Sequence, residues 1–110
     1  MGSETFQKVY DFYKHLYINL RSISKRDRFT WGNRADGLAL EILSLSARAS
    51  YTPRQQKRQA LEHMSVSVDL LKIILRLGFD LHILDQKKCI ARQGELQEIG
   101  KMLGGWMKQF

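Results

Sequence analysis

The sequence predicts an all-α fold, an antiparallel up-down four-helix bundle forming a single domain over residues 1–110. Three observations predict it. Pro53 is the only proline in 110 residues, so long stretches are free to be helix. Apolar residues recur three or four positions apart along four segments, with no sustained period-two alternation to suggest a sheet. Short start and stop signals separate the segments, and short connections favour antiparallel neighbours.

The first helix is expected over about residues 4–22, with Ser3 as a possible cap. Phe6, Val9, Tyr13, Leu16, Leu20 and Ile23 share one face, and Tyr10 and Tyr17 widen it. The second is expected over 25–49. Ser24 followed by Asp27 reads as a capping box with Asp in place of Glu. Ala39, Ile42, Leu43, Leu45 and Ala49 point to the core, while Gly32 and Gly37 each cost about 1 kcal/mol against alanine. The third is expected over 53–81, with Thr52 as N-cap, Pro53 at the first helical position and Gln55 completing a capping box. The fourth is expected over 86–108 with Asp85 as its cap. Leu96, Ile99, Leu103, Trp106 and Phe110 form its seam.

The third segment has a surplus of apolar surface. From Met64 to Leu81 the polar residues Ser65, Asp69, Lys72, Arg76 and Asp80 form one narrow stripe on a largely apolar helix. A bundle core takes only about a 100° face, so the remainder is expected at a subunit interface. Ile73 and Leu77 are placed there.

The terminal run GELQEIGKMLGGWMKQF places glycines beside lysine, but in the wrong order for a phosphate loop. Gly100-Lys101 is followed by Met102, and no strand precedes it. The run reads as a helix whose Gly100 and Gly104, one turn apart, let another backbone approach, with Trp106 as a packing residue.

Charge supplies the functional signal. The net charge is +7, which favours a polyanion or an acidic partner. Basic residues gather in three places: Arg21, Lys25, Arg26, Arg28 and Arg34; Arg54, Lys57 and Arg58; and Lys72 with Arg76. Two of these sets lie at helix starts, where cations oppose the helix dipole, so helix stability alone does not account for them. Phosphate contact does, through backbone and shape, because only Phe29 and Trp31 interleave with them.

Catalysis finds little support. His15, His63 and His82 lie on three segments without ligand spacing, Cys89 reads as a small core residue, and Ser44, Ser46 and Ser50 lack a nucleophile elbow. Glu95 and Glu98 suggest no acid–base pair. The reading is therefore of a non-enzyme with no metal and no cofactor. A single cysteine, no signal-peptide pattern and no apolar run of spanning length fit a cytoplasmic protein away from the membrane.

DRFTWGNR, DLLKIILRLGFDL and LQEIGKMLGGWMK, in that order, resemble a small four-helix-bundle family. It includes proteins encoded within intervening sequences of 23S ribosomal RNA genes and Avd, the accessory variability determinant of diversity-generating retroelements. The resemblance spans Phe6 to Phe110, and the aromatic first helix with the tail IGKMLGGWMK points to the Avd branch. It implies a basic homopentamer that associates with the retroelement's reverse transcriptase and template RNA and supports mutagenic cDNA synthesis and retrohoming. It implies no catalytic residue, and by position it sets Lys72 and Arg76 facing the polymerase or RNA. The alternative is an oligomeric protein-binding scaffold with no direct RNA role. Asp36, Gly37, Ser44, Ser46 and Arg48 depart from the family's usual apolar or helix-forming residues, which bears on the packing of the second helix.

Overall fold

A computed structural model describes residues 2–110. The helices are α1 (Gly2–Arg21), a short α2 (Lys25–Asp27), α3 (Asn33–Ala49), α4 (Arg54–Asp80) and α5 (Gln86–Met107), with a π turn (Arg28–Gly32) joining α2 to α3. Helix α1 packs on α3 and α5, and α4 packs on α3 and α5, so the four long helices form a closed ring in chain order. The bundle measures 44 × 21 × 19 Å. There is no strand among the described residues.

The core is built from the predicted seams with some exchanges. Helix α1 buries Val9, Phe12, Leu16 and Leu20, so Phe12 takes the central place expected of Tyr13, which is half-buried. Ser3 lies inside α1 and does not cap it. Helix α3 contributes Leu38, Ala39, Ile42 and Ala49, and Leu43 and Leu45 sit at its margin. The seam of α5 is as expected, with Leu96, Ile99, Leu103 and Trp106 buried and Phe110 packed against the core. Each large apolar side chain so enclosed contributes about 1.5–3 kcal/mol over its exposed state.

Of the other three expected caps, two form and one does not. The Asp27 N–H donates to Ser24 Oγ at 3.2 Å, and the Lys88 N–H to Asp85 Oδ1 at 2.8 Å. Thr52 turns the other way, its hydroxyl donating to the Arg48 carbonyl at 3.0 Å. It therefore caps the end of α3, and α4 begins from an extended Pro53 with no side-chain cap. Proline lacks only an N–H that a first turn leaves unpaired anyway.

The α4–α5 corner is a Schellman turn. His82 N–H donates to the Phe79 carbonyl at 3.0 Å and Ile83 N–H to the Gly78 carbonyl at 2.8 Å. His82 occupies the left-handed position at φ 62°, where glycine is usual.

The departures in α3 are accommodated locally. Ser46 is buried with its hydroxyl donating to the Leu43 carbonyl at 2.7 Å. Asp36 accepts from the Tyr13 hydroxyl at 2.7 Å, while Gly37, Ser44 and Arg48 face outward.

Candidate functional site

The π turn organises the first basic set. A π turn carries more residues per hydrogen bond than an α turn, so it shifts the phase of the side chains that follow. Here Trp31 turns inward, 7% exposed, and Phe29 outward, 64% exposed. The indole Nε1 donates to the Ile74 carbonyl at 2.8 Å, and the ring packs against Gly78. A Cβ at Gly78 would stand 2.4 Å from the ring, so only glycine admits it. The turn is thereby fixed to α4, and its arginines are displayed from a rigid element.

Arg21, Lys25, Arg26, Arg28 and Arg34 are all exposed. Among the described residues none of the five forms an ion pair, although Lys25 stands 6.0 Å from the Phe29 ring. The fold divides them between two flanks. Arg21 and Arg28 line a pocket between α1 and the π turn. Arg26 and Arg34 line a groove between that turn and α4, floored by Trp31, Ile74 and Leu77. Five cations without carboxylate partners at one end of a bundle produce a positive field that attracts anions.

The second set behaves otherwise. Antiparallel packing brings the start of α4 beside the end of α5. Arg54 donates to the Gln109 carbonyl and Arg58 to the Met107 carbonyl, both at 3.2 Å. Arg58 also pairs with Glu62 at 3.1 Å. Arg54 and Lys57 lie over the Phe110 ring at 5.0 and 5.7 Å, and Lys57 is 5.9 Å from the Trp106 ring. These cations oppose the dipole of their own helix but complement that of α5, whose last carbonyls lack helical donors. Helix stability thus explains Arg54, Lys57 and Arg58, through a neighbour that sequence order does not reveal.

Lys72 and Arg76 lie in the polar stripe of α4, on the side toward α5. Lys72 is half-buried, its Nζ 3.8 Å from Asp69 Oδ1 and 3.8 Å from where a Cβ at Gly100 would be. The Gln93 side chain donates to the Lys72 carbonyl at 2.8 Å, and Arg76 is exposed. On the opposite flank, toward α3, Val66, Leu70, Ile73, Leu77 and Leu81 form an exposed apolar stripe. Among the described residues Gly100 and Gly104 bring no other helix backbone of this chain close: beyond its own turn of helix, nothing lies within 4 Å of a Cβ built at Gly104. The close approach falls instead at Gly78, which periodicity does not single out.

Several polar groups are structural. Glu95 accepts from Arg92 and meets His15 Nδ1 at 2.6 Å, and Arg92 donates to the buried Asn19 at 2.9 Å, tying α1 to α5. Burial pushes the Cys89 thiol up from its ordinary range, and its sulfur lies 3.8 Å from the Leu75 carbonyl. Burial, and next the Asp36 hydrogen bond, raise the Tyr13 phenol to about 12. Among the described residues no three His, Cys, Asp or Glu side chains gather in a way that could hold a metal ion. No helix among them is long and apolar enough to cross a membrane.

Sequence reasoning missed the pairing of Tyr13 with Asp36 beside Arg21 and Arg28. Those residues lie on α1, the π turn and α3, whose relative rotation only packing sets. Among known protein families, a model of the bAvd-like family matches residues 5–110. No curated protein and no solved structure matches the chain.

Proposed function

Because the chain belongs to the bAvd-like family, we propose that it is the accessory protein of a diversity-generating retroelement, binding the element's reverse transcriptase and template RNA and supporting mutagenic cDNA synthesis. The observation that carries the RNA part of this reading is the set Arg21, Lys25, Arg26, Arg28 and Arg34, exposed and, among the described residues, free of ion pairs at one end of the bundle. Such a set contacts phosphates regardless of base, so binding is strongly salt-dependent. Lys72 and Arg76 form the contact to the polymerase or to RNA along α4. The set Arg54, Lys57 and Arg58 contributes less, because its cations are engaged by α5 and the C-terminal residues.

Self-assembly belongs to the same proposal. The exposed stripe Val66, Leu70, Ile73, Leu77 and Leu81 is continuous along α4, and a second copy is the economical way to bury it. A homopentamer is the assembly proposed.

The test is RNA affinity as a function of salt, with the mass of the particle measured with and without RNA. Each phosphate contact removed by an alanine at Arg21, Arg26, Arg28 or Arg34 should lower the log–log salt slope by about 0.7 for single-stranded RNA. Lys72→Ala with Arg76→Ala should weaken polymerase or RNA binding with helix content unchanged, and undiminished binding of both would remove that assignment. Ile73→Glu should reduce the particle mass. A protein-binding scaffold without an RNA role is the second reading, favoured by the apolar stripe. A stable oligomer with absent or salt-insensitive RNA binding would establish it.

A further inference from the structure

We propose that the pocket between α1 and the π turn takes one nucleotide of single-stranded RNA, base inward and phosphate outward, with a preference for guanine. The inference rests on the RNA-binding reading and specifies how one site would discriminate among bases. The pocket holds about 210 Å³, below the volume that encloses a whole drug-sized ligand but suited to a single ring system with its sugar and phosphate outside.

Its chemistry is graded along the bundle axis. At the end of the molecule it is cationic: Arg21 and Arg28 enter it, and neither has an ion-pair partner among the described residues. Tyr13 and Tyr17 form an aromatic wall, their centroids 6.2 Å apart and tilted 44°. Tyr17 is 52% exposed, so its face is open to stacking, which is worth as much for one base as for another. The inner end offers acceptors. Asp36 Oδ1 already accepts from the Tyr13 hydroxyl, which holds the carboxylate in place and leaves its second oxygen uncommitted. The Asn33 amide donates one N–H to the Phe29 carbonyl at 3.0 Å, which fixes its orientation and leaves the amide oxygen available as an acceptor.

Tyr13 and Arg21 are eight residues apart, so the two ends of the pocket are about 12 Å apart along α1. That span separates base from phosphate. A phosphate is drawn to the guanidinium pair and kept from the carboxylate. Of the four bases, guanine alone offers two adjacent donors on its Watson–Crick edge, N1–H and the N2 amino group, which match the second Asp36 oxygen and the Asn33 amide oxygen. Adenine and cytosine offer one donor group beside an acceptor that Asp36 would repel.

The test uses the full chain with fluorescently labelled RNA pentanucleotides UUGUU, UUAUU, UUCUU and UUUUU, followed by anisotropy. UUGUU should bind about tenfold tighter than the other three, the discrimination of one bidentate base contact. Tyr17→Ala should weaken all four by at least fivefold, consistent with the loss of one stacked base, and Tyr17→Phe should restore binding. Asp36→Asn keeps an acceptor for Tyr13 but replaces a carboxylate oxygen with a donor, and should abolish the preference for UUGUU while circular dichroism stays unchanged. Equal affinity for all four oligonucleotides would overturn the guanine assignment. Undiminished affinity in Tyr17→Ala would overturn the pocket itself. If the pentanucleotides do not bind while template-length RNA does, this inference fails and the proposed function stands; if neither RNA binds, both fail.

Discussion

The two ends of the bundle carry similar sequence and opposite physics. At one end Arg54, Lys57 and Arg58 meet the last turn of α5, where carbonyls and aromatic rings engage them. At the other, Arg21, Lys25, Arg26, Arg28 and Arg34 surround a π turn and form no ion pair among the described residues. Both sets lie close to helix starts, and as strings of letters they are equivalent. The difference lies in what stands opposite. The first set faces a helix C-terminus whose carbonyls accept from it, and the second faces solvent and two open grooves. A basic cluster is a binding surface only where the fold supplies it no acceptor.

The largest test of this contrast breaks the open end. Trp31→Ala should cost about 3–5 kcal/mol in urea denaturation, by the loss of a large buried side chain. Gly78→Ala, forcing a methyl group into the same indole, should cost about 1–3 kcal/mol. Hydrogen exchange in either variant should show protection lost around residues 25–34 and 74–80 and kept at residues 54–64. Equal loss at both ends would mean that the Trp31–Gly78 contact is not what holds the open end together.

A smaller effect, of opposite sign, is expected at the same end. His82 sits at φ 62° in the Schellman turn, so His82→Gly should raise stability by about 1 kcal/mol in the same denaturation measurement. An unchanged midpoint would show that the turn bears no such strain.

Direct exchange of function between the two basic sets comes next. Arg58→Ala should destabilise by about 0.5–1 kcal/mol, discounted because its ion pair with Glu62 is solvent-exposed. It should barely change RNA affinity. Arg28→Ala should do the reverse, with stability within about 0.5 kcal/mol of the parent and RNA binding weakened. If both variants behaved alike in both assays, the two ends would not differ in role.

The gentlest probe is alkaline pH. The Tyr13 phenol is raised to about 12 in the folded chain from an ordinary 10.0, so the contribution of its protonated form is intact below pH 10 and lost as pH rises through about 12. Tyr13→Phe should therefore show a shallower fall in Tm above pH 10 than the parent. Identical slopes would place the tyrosine outside the stabilising contacts of the α1–α3 face.

Much of the fold is legible in the order of residues. The α5 seam, the caps at Ser24 and Asp85 and the polar stripe of α4 all depend on spacing within one helix, and a helix repeats that spacing faithfully. The cap at Thr52 is misread because a hydroxyl there can bond backward to α3 or forward to α4, and local sequence favours neither. The glycines show the same limit. Gly100 and Gly104 have the regular spacing of a contact strip and, among the described residues, meet no other helix backbone of this chain, while the isolated Gly78 receives an indole.

By itself the sequence determined four amphipathic helices, their connections, a net charge of +7 and the family, because these follow from local periodicity, composition and residue order. Only the tertiary structure decided which basic residues are engaged and which are free, where a glycine is indispensable, and that Tyr13, Asp36, Arg21 and Arg28 share one pocket. Those outcomes depend on the rotation of each helix about its axis and on what its antiparallel neighbour places opposite. Core packing fixes both, across separations of 20 residues and more that no local pattern records.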